Sequence, residues 1–189
     1  MGMQQTAGGA DAVTIRPATD ADMDAVAAIY AHHVQHGRAS FETEPPAVAE
    51  IRHRHRDVVG KGLPYLVAES AAGEVLGYAY AGRYRPRAAY ADTVENSIYL
   101  RPDAIGLGIG RRLLAALIAE CEARGLRQMI AVVGDSANEA SIRLHETLGF
   151  RRVGVLRDVG FKHGVWLDSV LLQRSLGEGN STPPARRDG

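Results

Sequence analysis

Three glycines stand at alternate positions in AIGLGIGRRLLAALIAECEARG, residues 104–125, and the last of them runs straight into an amphipathic helical pattern. A glycine turn that opens a helix bares main-chain N–H groups on the positive end of the helix dipole, which suits a phosphate or pyrophosphate. A second concentration of chemistry lies in RYRPRAAY, where Arg83, Arg85 and Arg87 alternate beside Tyr84 and Tyr90. Guanidinium groups so spaced suit bidentate binding of a carboxylate or phosphinate. His32 and His36, at i and i+4, could form half of a zinc site, but no third ligand follows at metal-site spacing and no metal is expected. Arg52 to Arg56, RHRHR, spread over more than one helix face and read as solvated surface rather than a nucleic-acid or metal site. Cys121 falls on an apolar stripe and reads as core, not nucleophile.

The elements that must position these residues follow from the pattern of the chain. VTIRP, from Val13, reads as a strand; Thr19 then caps a helix with Met23, Val26, Ile29, Tyr30, His33 and Val34 at helical spacing. Pro45 and Pro46 start a second helix carrying Val48, Ile51 and Val58 inward. PYLVAES, a turn at Ala71 to Gly73, and EVLGYAYAG form an antiparallel hairpin, and ENSIYLRP is a further strand. The glycine turn feeds a helix from Gly110 to Arg124, with Leu113, Leu114, Leu117, Ile118 and Cys121 as its buried stripe and Gly125 as its stop. RQMIAVVGD is a buried strand; Ser136 with Glu139 forms a capping box for a helix that ends at Gly149. Strands near Phe150–Val159 and Val165–Gln173 complete the order β-α-α-β-β-β-α-β-α-β-β, which implies a single-domain α/β fold built on a mixed sheet.

With 189 residues, the chain is long enough for one domain with a real core. Residues 13–176 are expected to form it, with residues 1–12 and 177–189 as loose tails. Lys plus Arg and Asp plus Glu both number 22, so nothing in the overall charge points to nucleic acid or an acidic membrane as partner. The single cysteine excludes an internal disulfide, and the chain has no apolar run of membrane-spanning or signal-peptide character; a cytoplasmic location is expected.

Three kinds of phosphorylated guest could occupy the glycine turn. A nucleotide P-loop needs Lys and then Ser or Thr after the last glycine, and Arg111 and Arg112 stand there instead. A dinucleotide fold needs wider spacing of the third glycine and a second half for which too little chain remains. Acyl-CoA offers a pyrophosphate for the helix end and a pantetheine arm that pairs with a strand edge like an added peptide. ENSIYLRPDAIGLGIGRRLLAALI resembles the CoA-binding motif of the GNAT superfamily of N-acyltransferases, and NEASIRLHETLGF resembles that superfamily's following motif. SFETEP, YAGRYRPRAAY, RLHETLGF and GFKHGVWLD carry a closer similarity, to the phosphinothricin and methionine sulfoximine N-acetyltransferase branch, over nearly the whole expected domain. One departure is Ile105, which stands where the family commonly has Gln or Arg. The main-chain donors remain, so CoA binding is expected to survive.

The resemblance implies a mostly antiparallel mixed sheet flanked by helices, acetyl-CoA as co-substrate, a homodimer, and acetyl transfer by direct attack in a ternary complex. The acceptor is the α-amine of a small amino acid or analogue of phosphinothricin, methionine sulfoximine or methionine sulfone type. It places the general base at Glu95 and main-chain donors for the thioester carbonyl at Ile98, Tyr99 and Leu100, while His145 either gives a proton to the departing thiolate or only packs beside the apolar Leu144/Leu148 face. Leu107, Gly108, Ile109, Gly110, Arg111 and Arg112 hold the pyrophosphate, and Asn138 either bonds the pantetheine arm or only caps its helix. Arg85, Arg87 and Tyr90 match positions that contact the acceptor, and Phe41 matches an apolar wall. The competing readings are the same fold acting on a polyamine, an aminoglycoside or a protein N-terminus, and a non-catalytic acyl-CoA-binding module.

Overall fold

The computed structural model describes residues 13–184; residues 1–12 and 185–189 lie outside the described chain. Its strands and helices follow the expected order. They are β1 (Thr14–Pro17), α1 (Met23–His36), α2 (Val48–Gly60), β2 (Tyr65–Glu69), β3 (Val75–Arg83), β4 (Thr93–Leu100), α3 (Ile109–Ala123), β5 (Gln128–Gly134), α4 (Glu139–Thr147), β6 (Arg151–Lys162) and β7 (Val165–Ser175). The strands form one seven-stranded sheet in the order β1-β2-β3-β4-β5-β7-β6. Every neighbouring pair is antiparallel except β4 and β5, whose parallel connection is made by α3.

β2 and the first half of β3 are buried on both faces, because helices cover both sides of that half of the sheet. On α3, Leu113, Leu114, Leu117, Ile118 and Cys121 are at most 5% exposed, as the spacing predicts. Each fully buried leucine of this kind contributes about 1.5–3 kcal/mol. Burial also pushes the Cys121 thiol up to about 12, which keeps it protonated and inert. Tyr30 and His33 of α1 meet the ring of Tyr99, whereas His145 of α4 meets the side chain of its near neighbour Asn96. Strand alternation therefore assigns α1 and α4 to opposite faces of β4.

Some local expectations change. Thr19 caps a short 3-10 turn, Asp20–Asp22, that leads into α1, and its N–H and hydroxyl both bond the Asp22 carboxylate. The cap of α4 is Asn138, whose Oδ1 accepts from the Ser141 N–H at 3.3 Å; Ser136 donates instead to Asp168. RHRHR is not uniformly solvated, since His55 is 7% exposed with its ring edge-on to Tyr65, while Arg52, Arg54 and Arg56 pair with carboxylates. Of the expected C-terminal tail, residues 177–180 form a turn, and the Arg127 guanidinium bonds the Gly179 and Pro183 carbonyls.

Candidate active site

The parallel ladder between β4 and β5 runs only from Thr93 opposite Gln128 to Asn96 opposite Ala131. Beyond it β4 stays with β3 as far as Leu100, while β5 follows β7 as far as Gly134. The sheet therefore splits between Ser97–Leu100 and Val132–Gly134. The Arg101 N–H donates to the Leu76 carbonyl at 2.8 Å and the Tyr84 N–H to Thr93 at 3.3 Å, which fixes the phase of the β3–β4 ladder. Ser97 and Tyr99 turn their main-chain groups to β3, and Ile98 and Leu100 turn theirs to the split. Of the three donors expected here, Tyr99 is thus spent on Tyr78, and Ile98 and Leu100 remain. The Leu100 carbonyl is taken by the His33 Nε2–H at 2.7 Å.

A cavity of about 480 Å³ opens at this split, with Tyr30, Phe41, Tyr80, Glu95, Ile98 and His145 among its lining. Glu95 projects to the α1 face, and its cross-strand neighbour is Gly82, beside which a Cβ would meet nothing within 4 Å. No side chain from β3 stands over the carboxylate there. Burial raises the Glu95 pKa above the ordinary carboxylate value, as a general base requires.

At the far end of β4, Gly106 and Gly108 adopt φ of +83° and +75°, so the turn into α3 needs glycine at both. Gly110 is small for a different reason: a Cβ there would lie 3.3 Å from Leu100 Cδ1 and 3.5 Å from Leu144 Cδ2. The first intrahelical bond, from the Arg112 N–H to the Gly108 carbonyl at 3.3 Å, leaves the N–H groups of Gly108, Ile109, Gly110 and Arg111 as the opening donors. Arg112 drops out of the expected main-chain set, and its side chain reaches the Val13 carbonyl.

His145 is 2% exposed, and burial lowers its pKa, so the ring is neutral near pH 7. Nδ1 lies 2.7 Å from the Ser141 carbonyl, which can only accept, so Nδ1 carries the proton. Nε2 then presents a lone pair 3.2 Å from the Asn96 side-chain oxygen, while the Asn96 Nδ2 is buried without a partner. Exchanging the amide oxygen and nitrogen of Asn96 satisfies both groups, with Nδ2 donating to Nε2. In that arrangement Nε2 holds a lone pair rather than a proton, and the side chain ties α4 to β4. Arg85, Arg87 and Tyr90 are exposed on the β3–β4 loop and do not line the cavity, Arg85 lying 5.1 Å from the Tyr84 ring centroid.

Residues 26–150 match the acetyltransferase (GNAT) family model, a span that contains the split, the glycine turn and both helices around them. The chain belongs to the GNAT acetyltransferase family. Membership makes it an N-acetyltransferase with acetyl-CoA as acetyl donor, on the fold expected from the sequence. It is 56% identical to a phosphinothricin N-acetyltransferase of Alcaligenes faecalis over 173 residues, 92% of this chain and 87% of that one. It is 42% identical to an L-methionine sulfoximine/L-methionine sulfone acetyltransferase of Pseudomonas aeruginosa over 170 residues, 90% of this chain and 98% of that one. A crystal structure of a GNAT superfamily phosphinothricin acetyltransferase from Sinorhizobium meliloti in complex with acetyl-CoA superposes with a TM-score of 0.90 at 47% identity. The match covers 93% of this chain and 94% of that one.

The donor set of this GNAT protein fits acetyl-CoA: unpaired main-chain N–H groups open α3, and unpaired main-chain groups of β4 edge the split. The sequence reading missed Tyr30, Ser40, Glu42, Tyr80 and Asn96 as cavity residues. Tyr78, Tyr80 and Gly82 at alternate positions carried a usable signal, since two phenols and a gap must then share one face of β3. Nothing in the sequence marks Asn96 as the partner of His145, because the two are 49 residues apart.

Proposed function

We propose that the protein acetylates the α-amine of a small amino acid or analogue of phosphinothricin, methionine sulfoximine or methionine sulfone type, by direct attack in a ternary complex. The observation that carries this reading is a half-buried carboxylate, Glu95, with raised pKa in a cavity at the β4–β5 split. Bound acetyl-CoA supplies a thioester carbonyl as the acetyl source. Glu95 takes the ammonium proton, directly or through water. The freed amine attacks the thioester carbon while the Ile98 N–H donates to the carbonyl oxygen, and the C–S bond breaks to release CoA thiolate, which takes up the second proton the nitrogen sheds on becoming an amide. The relatives named above support the acceptor class. Residues 13–176 form the catalytic domain, and a lone buried thiol suits a reducing cytoplasm. Among the described residues, no helix is long and apolar enough to cross a membrane.

One observation favours a cationic acceptor instead: Glu42 and Glu95 both line the cavity, and none of the arginines among the described residues does. Glu42 is already paired with Arg54 at 2.6 Å, which removes most of that argument. A thiol-release assay with acetyl-CoA decides between the readings. Methionine sulfone, methionine sulfoximine and phosphinothricin are expected to be acetylated faster than spermidine or an aminoglycoside, and the reverse order overturns the amino-acid reading.

Acetyl-CoA is expected to bind through the Gly108–Arg111 main chain without a divalent metal. Calorimetry checks this: the heat of binding should be the same with and without a chelator, and loss of binding in EDTA would refute it.

The reading includes a homodimer. β6 is an edge strand, and Val153, Val155, Leu156, Val159 and Phe161, with Trp166 of β7, are each 43–63% exposed. An exposed apolar edge of this length invites pairing or aggregation unless another surface covers it. A second copy is the cover proposed here, and Arg85, Arg87 and Tyr90, exposed and off the cavity of their own chain, are proposed to serve the acceptor cavity of that copy. Light scattering should give twice the chain mass for the wild type and a lower mass for Val155→Asp/Trp166→Glu. A wild-type monomer would sink the dimer.

A further inference from the structure

The loop between α1 and α2 carries Phe41, which is 42% exposed and lines the cavity. Its ring rests on two glycines of different strands. A Cβ at Gly160 on β6 would stand 2.9 Å from Cε2, 3.1 Å from Cδ2 and 3.2 Å from Cζ of that ring. A Cβ at Gly134 on β5 would stand 3.0 Å from Phe41 Cε1, and also 2.9 Å and 3.0 Å from the carbonyl oxygens of Ala39 and Arg38. The same loop is pinned one residue earlier. Lys162, two residues beyond Gly160 and 4% exposed, donates from Nζ to the Ser40 carbonyl at 2.7 Å. The Ser40 hydroxyl in turn bonds the Tyr30 hydroxyl at 2.8 Å and accepts from the Glu42 N–H at 3.2 Å.

From this geometry we infer that Gly160 is a specificity-determining residue: by carrying no side chain it lets Phe41 sit back against β6 and so sets how large an acceptor side chain the cavity admits. Lys162 is the positioning residue that keeps the loop in register over that seat. The inference deepens the acceptor reading above and rests on it for the nature of the acceptor. The two glycines differ in what a methyl group would displace. At Gly134 the neighbours include the Ala39 and Arg38 backbone, which gives way less readily; at Gly160 they are all atoms of the Phe41 ring, which a methyl group would push away from β6. Gly160→Ala is therefore a narrow perturbation that leaves the fold and the acetyl-CoA site untouched. Gly60, at the end of α2 and away from the β6 edge, has open space where a methyl group would go, with nothing within 4 Å, and serves as the control.

The test compares kcat/KM for alanine with that for methionine sulfone. Gly160→Ala should shift the ratio about five- to tenfold toward alanine, the scale of losing roughly one methylene's room in an apolar pocket. Acetyl-CoA affinity should be unchanged, and Gly60→Ala should match the wild type. In the Phe41→Ala background Gly160→Ala should have no further effect on the ratio, because the ring through which it acts is gone. A crystal structure of Gly160→Ala supplies a readout independent of substrate, with the Phe41 ring expected to be displaced toward the cavity. An unmoved ring, or an unmoved ratio in an active variant, overturns the inference. Wild-type inactivity toward both amino acids together with a displaced ring refutes only the acceptor reading, leaving the seat for Phe41 established.

Discussion

Glu95→Gln is expected to lower kcat by about 10²- to 10⁴-fold while leaving acetyl-CoA affinity unchanged. The carboxylate faces the cavity at the split, burial raises its pKa, and Gly82 leaves its flank without a covering side chain. Glutamine keeps the shape and removes the base. In the wild type, kcat/KM should climb with pH along an acidic limb whose midpoint lies above the ordinary glutamate value, and that limb should be missing from the residual activity of the variant. The sign of the stability effect supplies a control. A carboxylate whose native pKa is raised binds its proton more tightly when folded, so stability falls as pH rises from the unfolded pKa through the native one. At neutral pH the wild type therefore carries the cost of a buried charge that Glu95→Gln lacks. The variant should melt at no lower temperature than the wild type, and a variant with ordinary turnover would move the base elsewhere.

Arg85→Ala and Arg87→Ala should each cut kcat/KM for methionine sulfoximine about ten- to hundredfold, with acetyl-CoA binding spared, as expected for loss of a charge-assisted contact to a carboxylate or sulfoximine oxygen. Both side chains are exposed and off the cavity of their own chain, so their effect tests the second copy as well as the substrate. Mixing Glu95→Gln chains with Arg85→Ala/Arg87→Ala chains should restore activity. Random pairing puts half the molecules in mixed dimers with one intact site of two, which gives about a quarter of the wild-type rate. No recovery on mixing would place the arginines in the chain whose Glu95 they serve, and unimpaired arginine variants would remove them from substrate binding altogether.

The order of elements was legible because periodicity changes cleanly along this chain. The leucine stripe of α3 recurs at helical spacing, β3 alternates YAYAG, and the glycine turn marks the start of α3. The chemistry was legible where it depends on consecutive residues, as at Gly108–Arg111. It was less so where two distant segments must meet. The orientation of His145 depends on Asn96, and the choice between Ile98 and Tyr99 as donor depends on which β4 groups β3 uses. His55 looked solvated because its neighbours are charged, and only its packing on Tyr65 reveals it as buried. The cap of α4 moved from Ser136 to Asn138 because Asp168, on β7, competes for the serine hydroxyl.

The short parallel ladder of β4 and β5 also bears on how the molecule comes apart. The strands β1 to β4 form one antiparallel group and β5 to β7 another, and four residue pairs are all that join them within the sheet. Such a narrow joint is one place where partial opening costs less than unfolding the whole. In the binding mode proposed above the coenzyme lies across the divergence, and a ligand that binds only the closed form adds about 2.7 kcal/mol to stability at a hundredfold excess over its Kd. In that mode acetyl-CoA is expected to act as a clasp between the two halves of the sheet. Each turnover that releases CoA leaves them fastened by those four pairs, the α3 crossover and side-chain packing alone, and the enzyme is at its most breathable in the interval before the clasp is replaced.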